Sequence, residues 1–193
     1  MSCDKIICGI DEAGRGPLAG PVFAAAVILP TDFDAASLAD SKKLSEKKRT
    51  ILAEKIFAEC LFGIGTASVR EIDSLNILRA TMLAMKRAYC ALSKKILASE
   101  KKRLDIIVDG NRCPDIQNAR TMIKADGKIP AVMAASIIAK VSRDTLMIHY
   151  AKKFPEYGFE CHKGYGTKAH VAAIHRYGLC PVHRKTFHVP SNE

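Results

Sequence analysis

Apolar positions recur along this chain with two periods, and the change of period divides it into strands and helices. The stretches "KIICGID" (5–11) and "GPVFAAAVIL" (20–29) are short apolar, partly β-branched runs bounded by glycine and proline, which predicts two strands. "LFGIGTASV" (61–69) is a third strand candidate, weakened by its glycines. "LDIIVDG" (104–110) predicts a buried strand ending in an acid and a glycine, and "RTMIKAD" (120–126) a fifth, also ending in an acid.

Helical spacing fills the intervals. "SEKKRTILAEKIFAEC" (45–60) opens with Ser45 as N-cap and places Leu52, Ile56 and Cys60 on one face. From Ile72 to Leu92, the positions Leu75, Leu78, Met82, Met85, Tyr89 and Leu92 step by three and four, the pattern of one amphipathic helix whose methionines fill core. Residues 130–154 predict a long apolar helix with Pro130 in its first turn. Two strands in succession, then alternating helices and strands, indicate an α/β fold with a mixed sheet. With no internal repeat or low-complexity linker, residues 1–193 are expected to form one domain, 155–193 being a basic C-terminal segment that packs on it.

Composition narrows the function classes. A chain of 193 residues with 48% hydrophobic and 26% charged residues can bury a core and is not of disordered type. No apolar run approaches the roughly 20 residues of a membrane span, and the start "MSCDKIICGID" lacks a signal core. A cytoplasmic protein with no membrane partner is expected. Seven cysteines scattered from Cys3 to Cys180, with no C-x-x-C, suit reduced, mostly packed thiols. The formal charge of +10 makes nucleic acid the leading partner class, although charge alone also suits a soluble protein that is merely basic. Residues 161–190 contain no Asp or Glu but hold Lys163, Lys168, Arg176, Arg184 and Lys185, a candidate surface for phosphates.

Against this basic background, "ICGIDEAGRGPLAGP" (7–21) sets Asp11 and Glu12 directly before a loop rich in glycine and proline. Asp11 ends the first predicted strand, Asp109 the fourth and Asp126 the fifth, and strand ends of an open α/β sheet converge on one edge. Glu12 would point differently by alternation unless the strand is already turning. Acids gathered this way repel one another unless a cation sits among them, and hard carboxylate oxygens suit Mg²⁺. Two such ions ~4 Å apart can hold the attacking water and the leaving oxygen of a phosphodiester displacement. Taken singly, Asp109-Gly110 and Asp126-Gly127 are ordinary turn chemistry; together with Asp11-Glu12 they favour the metal reading.

Two rival readings fare worse. "GRGPLA" formally fits a dinucleotide fingerprint, but two acids precede it, an apolar strand rather than a helix follows, and no acid ends a second parallel strand about 20 residues on. Cys161-His162 with Cys180-x-x-His183 has zinc-type ligands at irregular spacing, which favours packed thiols and surface imidazoles.

The stretches "GIDEAGRGPLAGPV", "DSKKLSEKKR", "IVDGN", "KADGKIPAVMAASIIAKVSRD" and "HKGYGTKAH", in this order, make the chain similar to bacterial ribonuclease HII, the type 2 ribonuclease H family. The resemblance implies a ribonuclease H-like fold, with a central five-stranded mixed β-sheet flanked by helices and a helical C-terminal part. It places the family's catalytic, metal-holding acids on Asp11, Glu12, Asp109 and Asp126, with Mg²⁺ or Mn²⁺ as cofactor and no organic cofactor. It places a 2′-hydroxyl-reading loop on Gly14, Arg15 and Gly16, and a sugar-stacking tyrosine on Tyr165. Close glycine backbone suits reading a hydroxyl, and a flat ring suits a sugar. Lys42, Lys43, Lys140 and Arg143 are read as phosphate contacts or site electrostatics.

The implied activity is endonucleolytic cleavage of the RNA strand of RNA–DNA hybrids and 5′ of single ribonucleotides in duplex DNA, by a protein expected to be a monomer. A non-catalytic nucleic-acid-binding module and a nuclease of the same fold acting on DNA are the alternatives. The sister type HIII carries lysine where this loop has Arg15. "KAD" replaces the commoner "KGD" in the fourth motif, with the acid retained.

Overall fold

The computed structural model describes residues 5–38 and 45–191. Lys42 and Lys43 lie outside the described residues. Five strands form one sheet in the order β3-β2-β1-β4-β5: β1 (Ile6–Ala13), β2 (Val22–Ile28), β3 (Leu61–Ala67), β4 (Leu104–Asp109) and β5 (Ala119–Met122). The first three are antiparallel neighbours, whereas β4 and β5 run parallel to β1, so the sheet is mixed as expected. The helices are α1 (Glu46–Glu59), α2 (Val69–Leu75), α3 (Ile77–Ser93), α4 (Ala98–Lys101), α5 (Pro130–Lys153), α6 (Phe159–His162) and α7 (Lys168–Tyr177). Among the described residues no helix is long and apolar enough to cross a membrane.

One face of the sheet packs on α3, where Ala24 and Ala26 meet Ala80, Ala84 and Ala88, all fully buried. Small residues let the helix backbone come close to the strands. The glycines that weakened the third strand in the sequence, Gly63 and Gly65, serve this approach: a Cβ at either would run into the backbone of Ala84 or Ala88. The opposite face, with Ala25 and Val27, packs on α1 and α5. There Gly9 of β1 lets the backbone of Ala131 and Val132 rest on the strand, which lays the first turns of α5 beside the end of β1.

Two elements differ from the sequence pattern. The single helix expected from Ile72 to Leu92 is two, because Asn76 adopts a left-handed φ of 68° and its side chain caps α3 by accepting the Arg79 amide at 3.1 Å. The apolar spacing survives the break, so periodicity did not register it. The fifth strand stops at Met122, and Asp126 lies in a 3₁₀ turn over Ala125–Gly127, not at a strand end. Ser45 and Pro130 take the expected positions at the starts of α1 and α5.

The C-terminal segment forms its own apolar cluster, in which Tyr157, Phe159, Val171 and Ile174 pack with Met147 and Ala151 of α5 and with Leu18 and Ala19. It is stitched to the loop after β1: the Leu18 amide donates to Gly164 O at 2.8 Å, the Gly20 amide to Val182 O at 2.8 Å, and the Arg184 amide to Leu18 O at 2.9 Å.

Candidate active site

Parallel pairing sets Ile10 opposite Val108, so the next residues, Asp11 and Asp109, reach the same edge of the sheet side by side. Asp126 arrives by another route. After β5 the chain reverses through Lys124, at a left-handed φ of 58°, and enters the short turn. Asp109 Oδ1 accepts the Ala125 amide at 2.6 Å and the Asp126 amide at 3.3 Å, so one acid holds the turn that carries another. A carboxylate oxygen from each of Asp11, Asp109 and Asp126 lies within 4.8 Å of the others.

Asp11 is only 5% exposed. Burial first, then the neighbouring Glu12 and Asp109 charges, holds its carboxyl well above the usual carboxylate range, against hydrogen bonds from the Glu12 amide and Ser136. Burial also raises Glu12, opposed by the Arg15 guanidinium, which pairs with it at 3.2 Å. Glu12 thus stands between the three aspartates, sharing a hydrogen bond with Asp11, and the loop that follows. Clustered hard oxygen donors with a buried member fit a divalent cation such as Mg²⁺ or Mn²⁺, which offsets the repulsion that otherwise favours protonation.

Beside the acids, Glu12, Gly14, Arg15, Gly16, Ser136, Lys140 and Tyr165 line a cleft of about 310 Å³. Gly14 has φ +94°, and a side chain there would strike the Arg143 arm packed behind it. Across the opening, a Cβ on Gly16 would stand 3.8 Å from the Tyr165 ring, which is 42% exposed. Lys140 sits at the rim, its Nζ 5.6 Å from the Tyr165 ring centre and 2.8 Å from Asp144 Oδ1.

Other basic residues sit differently from the sequence reading. Arg143 is fully buried and donates to the carbonyls of Ala19, Pro21 and Lys163, so its guanidinium is a clamp on the chain and not a phosphate contact. Arg184 is likewise buried, donating to the carbonyls of Gly14, Arg15 and Gly20, and Lys163 is buried too. The acid-free block therefore turns part of its charge inward. His170 and His183 are not surface imidazoles but core residues, 0% and 2% exposed. Cys180 Sγ approaches His183 Nδ1 at 3.0 Å, yet Cys161 is exposed, and among the described residues only the aspartates bring three ligand atoms together.

The sequence pattern does not single out Ser136 or His170, and it places at the surface Arg184 and His183, which are buried. Ser136 carried a signal, being the one polar side chain between Pro130 and Ala139. Arg184 carried none, because its carbonyl partners lie 164 to 170 residues away.

The family model described as Ribonuclease HII matches residues 8–190. A ribonuclease HII of Coxiella burnetii is 54% identical over 184 residues, covering 94% of this chain and 88% of its own. That of Treponema denticola is 53% identical, covering 95% of this chain and 98% of its own. Among solved structures, the ribonuclease HII of Archaeoglobus fulgidus, determined in complex with PCNA, superposes with a TM-score of 0.74 at 26% identity over 96% of both chains. The Mn²⁺ complex of Bst-RNase HIII gives a TM-score of 0.72 at 19% identity, covering 91% of this chain and 63% of its own, and shares the fold. The match across nearly the whole chain, and the acid group on the sheet edge, identify a metal-dependent endoribonuclease acting on RNA–DNA hybrids: the chain belongs to the ribonuclease HII family.

Proposed function

We propose that this enzyme cuts on the 5′ side of ribonucleotides, including a single ribonucleotide embedded in duplex DNA, and leaves 3′-hydroxyl and 5′-phosphate ends. The observation that carries the reading is the cleft in which the Gly14–Gly16 loop faces Tyr165 beside Glu12, at the edge of the carboxylate group. A scissile phosphate held at the acids leaves the adjoining sugars within reach of both loop and ring.

Asp11, Glu12, Asp109 and Asp126 hold two divalent ions, Mg²⁺ or Mn²⁺. Bound there, such ions supply Lewis-acid chemistry, making water a competent attacker near neutral pH and neutralising charge on the departing 3′-oxygen. Backbone groups of Gly14, Arg15 and Gly16 approach the sugar closely enough to sense its 2′-hydroxyl, which only RNA carries. The Tyr165 ring packs under the next sugar and favours a deoxyribose there. Lys140 at the rim, with Lys42 and Lys43, contacts flanking phosphates and makes binding salt-dependent. The enzyme acts in the cytoplasm as a monomer, removing ribonucleotides misincorporated into DNA.

The test is a duplex DNA with one embedded ribonucleotide, incubated with protein and Mg²⁺ beside an all-DNA duplex and a chelated control. A single nick 5′ to the ribonucleotide, absent from both controls, is expected. Cleavage of the all-DNA duplex would discard the sugar-reading role of the loop, and intact substrate would discard the single-ribonucleotide reading.

A further inference from the structure

Both walls of the cleft are held from behind by one turn, residues 180–184. On the loop side, Arg184 Nη1 donates to the Arg15 carbonyl at 2.8 Å, Nη2 donates to Gly14, and Nε donates to Gly20 at 2.9 Å. On the tyrosine side, a chain of imidazoles runs from the same turn. The Cys180 amide donates to His183 Nδ1 at 2.9 Å, so that nitrogen carries no proton. The proton of neutral His183 then lies on Nε2, which faces His170 Nε2 at 3.0 Å and donates to it. His170 therefore keeps its own proton on Nδ1, which donates to the Tyr165 carbonyl at 2.9 Å. Each nitrogen has one role, and the direction of the whole chain follows from the single amide at Cys180.

The surroundings preserve this arrangement. His162 stacks on His170 with ring centres 4.4 Å apart, and Phe159 packs edge-on to His170 at 5.4 Å. Burial holds His170 down to about 4 and lowers His183, so both stay neutral through the physiological range. The Cys180 thiol, pushed up chiefly by burial, also keeps its proton beside His183. Tyr165 itself is anchored mainly through its backbone, since its amide donates to His162 O at 2.9 Å and its ring is exposed. Its carbonyl accepts the Thr167 amide at 2.8 Å as well as His170 Nδ1 at 2.9 Å, and of these two bonds the one from His170 ties the tyrosine to the 180–184 turn.

We propose that His170 and His183 are positioning residues for substrate discrimination: the Cys180–Arg184 turn, through the relay His183→His170→Tyr165 carbonyl, fixes the Tyr165 ring at its distance from the Gly14–Gly16 loop. The proposal rests on the reading of Tyr165 given above. Neither histidine lies among the residues that line the cleft, so their effect is on geometry and not on chemistry.

The test compares His170→Asn with His170→Gln in the full chain with Mg²⁺. Asparagine places its amide near the position of Nδ1 and keeps the donor to Tyr165; glutamine places it near Nε2 and loses that donor. The readout is the ratio of kcat/KM on a single-ribonucleotide duplex to kcat/KM on a uniform RNA–DNA hybrid, in which the sugar next to the cut is a ribose. Because both substrates share the carboxylates, the ratio cancels losses at the metal site. Tyr165→Ala sets the scale. His170→Gln and Tyr165→Ala should each lower the ratio by about tenfold or more, since displacements near 1 Å carry effects of that order, while His170→Asn stays near the unmodified protein.

If Tyr165→Ala lowers the ratio and His170→Gln does not, or if both His170 variants lower it equally, the relay is overturned alone. If Tyr165→Ala leaves the ratio unchanged, the reading of the tyrosine falls, and the relay's purpose with it. A measurement on the unmodified protein needs no variant to fold. Long-range ¹H–¹⁵N spectra near pH 7 should show His170 as the Nδ1–H tautomer and His183 as the Nε2–H tautomer, and the reverse assignment would overturn the relay.

Discussion

Asp109 Oδ1 accepts the Ala125 amide at 2.6 Å while contributing to a carboxylate group whose third member, Asp126, is the very next residue. One side chain therefore builds the site and belongs to it. Asp109→Asn keeps an oxygen for the turn but removes a charge from the metal-holding set. Activity on an RNA–DNA hybrid should fall by about 100-fold or more with the fold intact, because a lost ligand exceeds the usual effect of an outer-shell change. Circular dichroism and initial rates at saturating Mg²⁺ check this, and a rate within about tenfold of the unmodified enzyme would remove Asp109 from the set.

Asp11 makes the opposite demand on stability. Its carboxyl is raised in the folded state by burial, Glu12 and Asp109, so the metal-free protein loses stability as pH rises from the ordinary carboxylate range toward that raised value. Asp11→Asn should therefore melt higher than the unmodified protein in chelator at pH 7.5, yet gain nothing from Mg²⁺. The unmodified protein should gain about 2.7 kcal/mol at a hundredfold excess over its dissociation constant. A lower melting point for the variant in chelator would contradict the account of repulsion.

The sheet and its acids were legible in the sequence because both follow from short-range pattern. Apolar runs ending in Asp11 and Asp109 lie within single strands, and parallel pairing does the rest. Asp126 was picked out for the wrong local reason, since it sits in a turn held by a side chain from another element. Asn76 ends a helix without disturbing apolar spacing, so periodicity ran across it. The basic residues misled most. Composition shows charge but not whether a guanidinium meets solvent or three backbone carbonyls, and Arg143 and Arg184 take the second course. Partners more than 100 residues away, as for Arg184 and Gly14, leave no trace in local spacing.

The histidine core gives stability a pH dependence of known sign. His162, His170 and His183 are all lowered, chiefly by burial, His170 to about 4 from an ordinary 6.5. Between those values the unfolded chain binds protons that the folded chain refuses. Stability is thus fully present above about pH 6.5, falls as pH drops through the window, and loses no more from His170 below its folded value. Each tenfold loss of proton affinity is worth roughly 1.4 kcal/mol, so His170 alone accounts for about 3 kcal/mol. Melting temperature followed from pH 7.5 to 4 should decline more steeply in the unmodified protein than in His170→Asn, and equal slopes would show that acid acts elsewhere.

Arg184 decides how firmly the loop at Gly14 is held. Arg184 is 1% exposed, pairs with no carboxylate among the described residues, and gives its guanidinium hydrogen bonds to the carbonyls of Gly14, Arg15 and Gly20, while stacking 4.9 Å from the Phe187 ring centre. Arg184→Met preserves the apolar stem but strands those acceptors, at roughly 1–3 kcal/mol each. Relief from burying a charge near Arg143 offsets part of that loss. The carbonyls cannot turn to water, because Leu18 and Gly20 are fastened to the same C-terminal segment by their own backbone bonds. The stranded acceptors should win, leaving a net loss of about 3 kcal/mol and a melting point lower by about 10 °C at this chain length. Arg184→Lys, which can satisfy one carbonyl, should fall between. Thermal unfolding of the pair checks the order, and a methionine variant as stable as the unmodified protein would mean that the loop at Gly14 stands without its clamp.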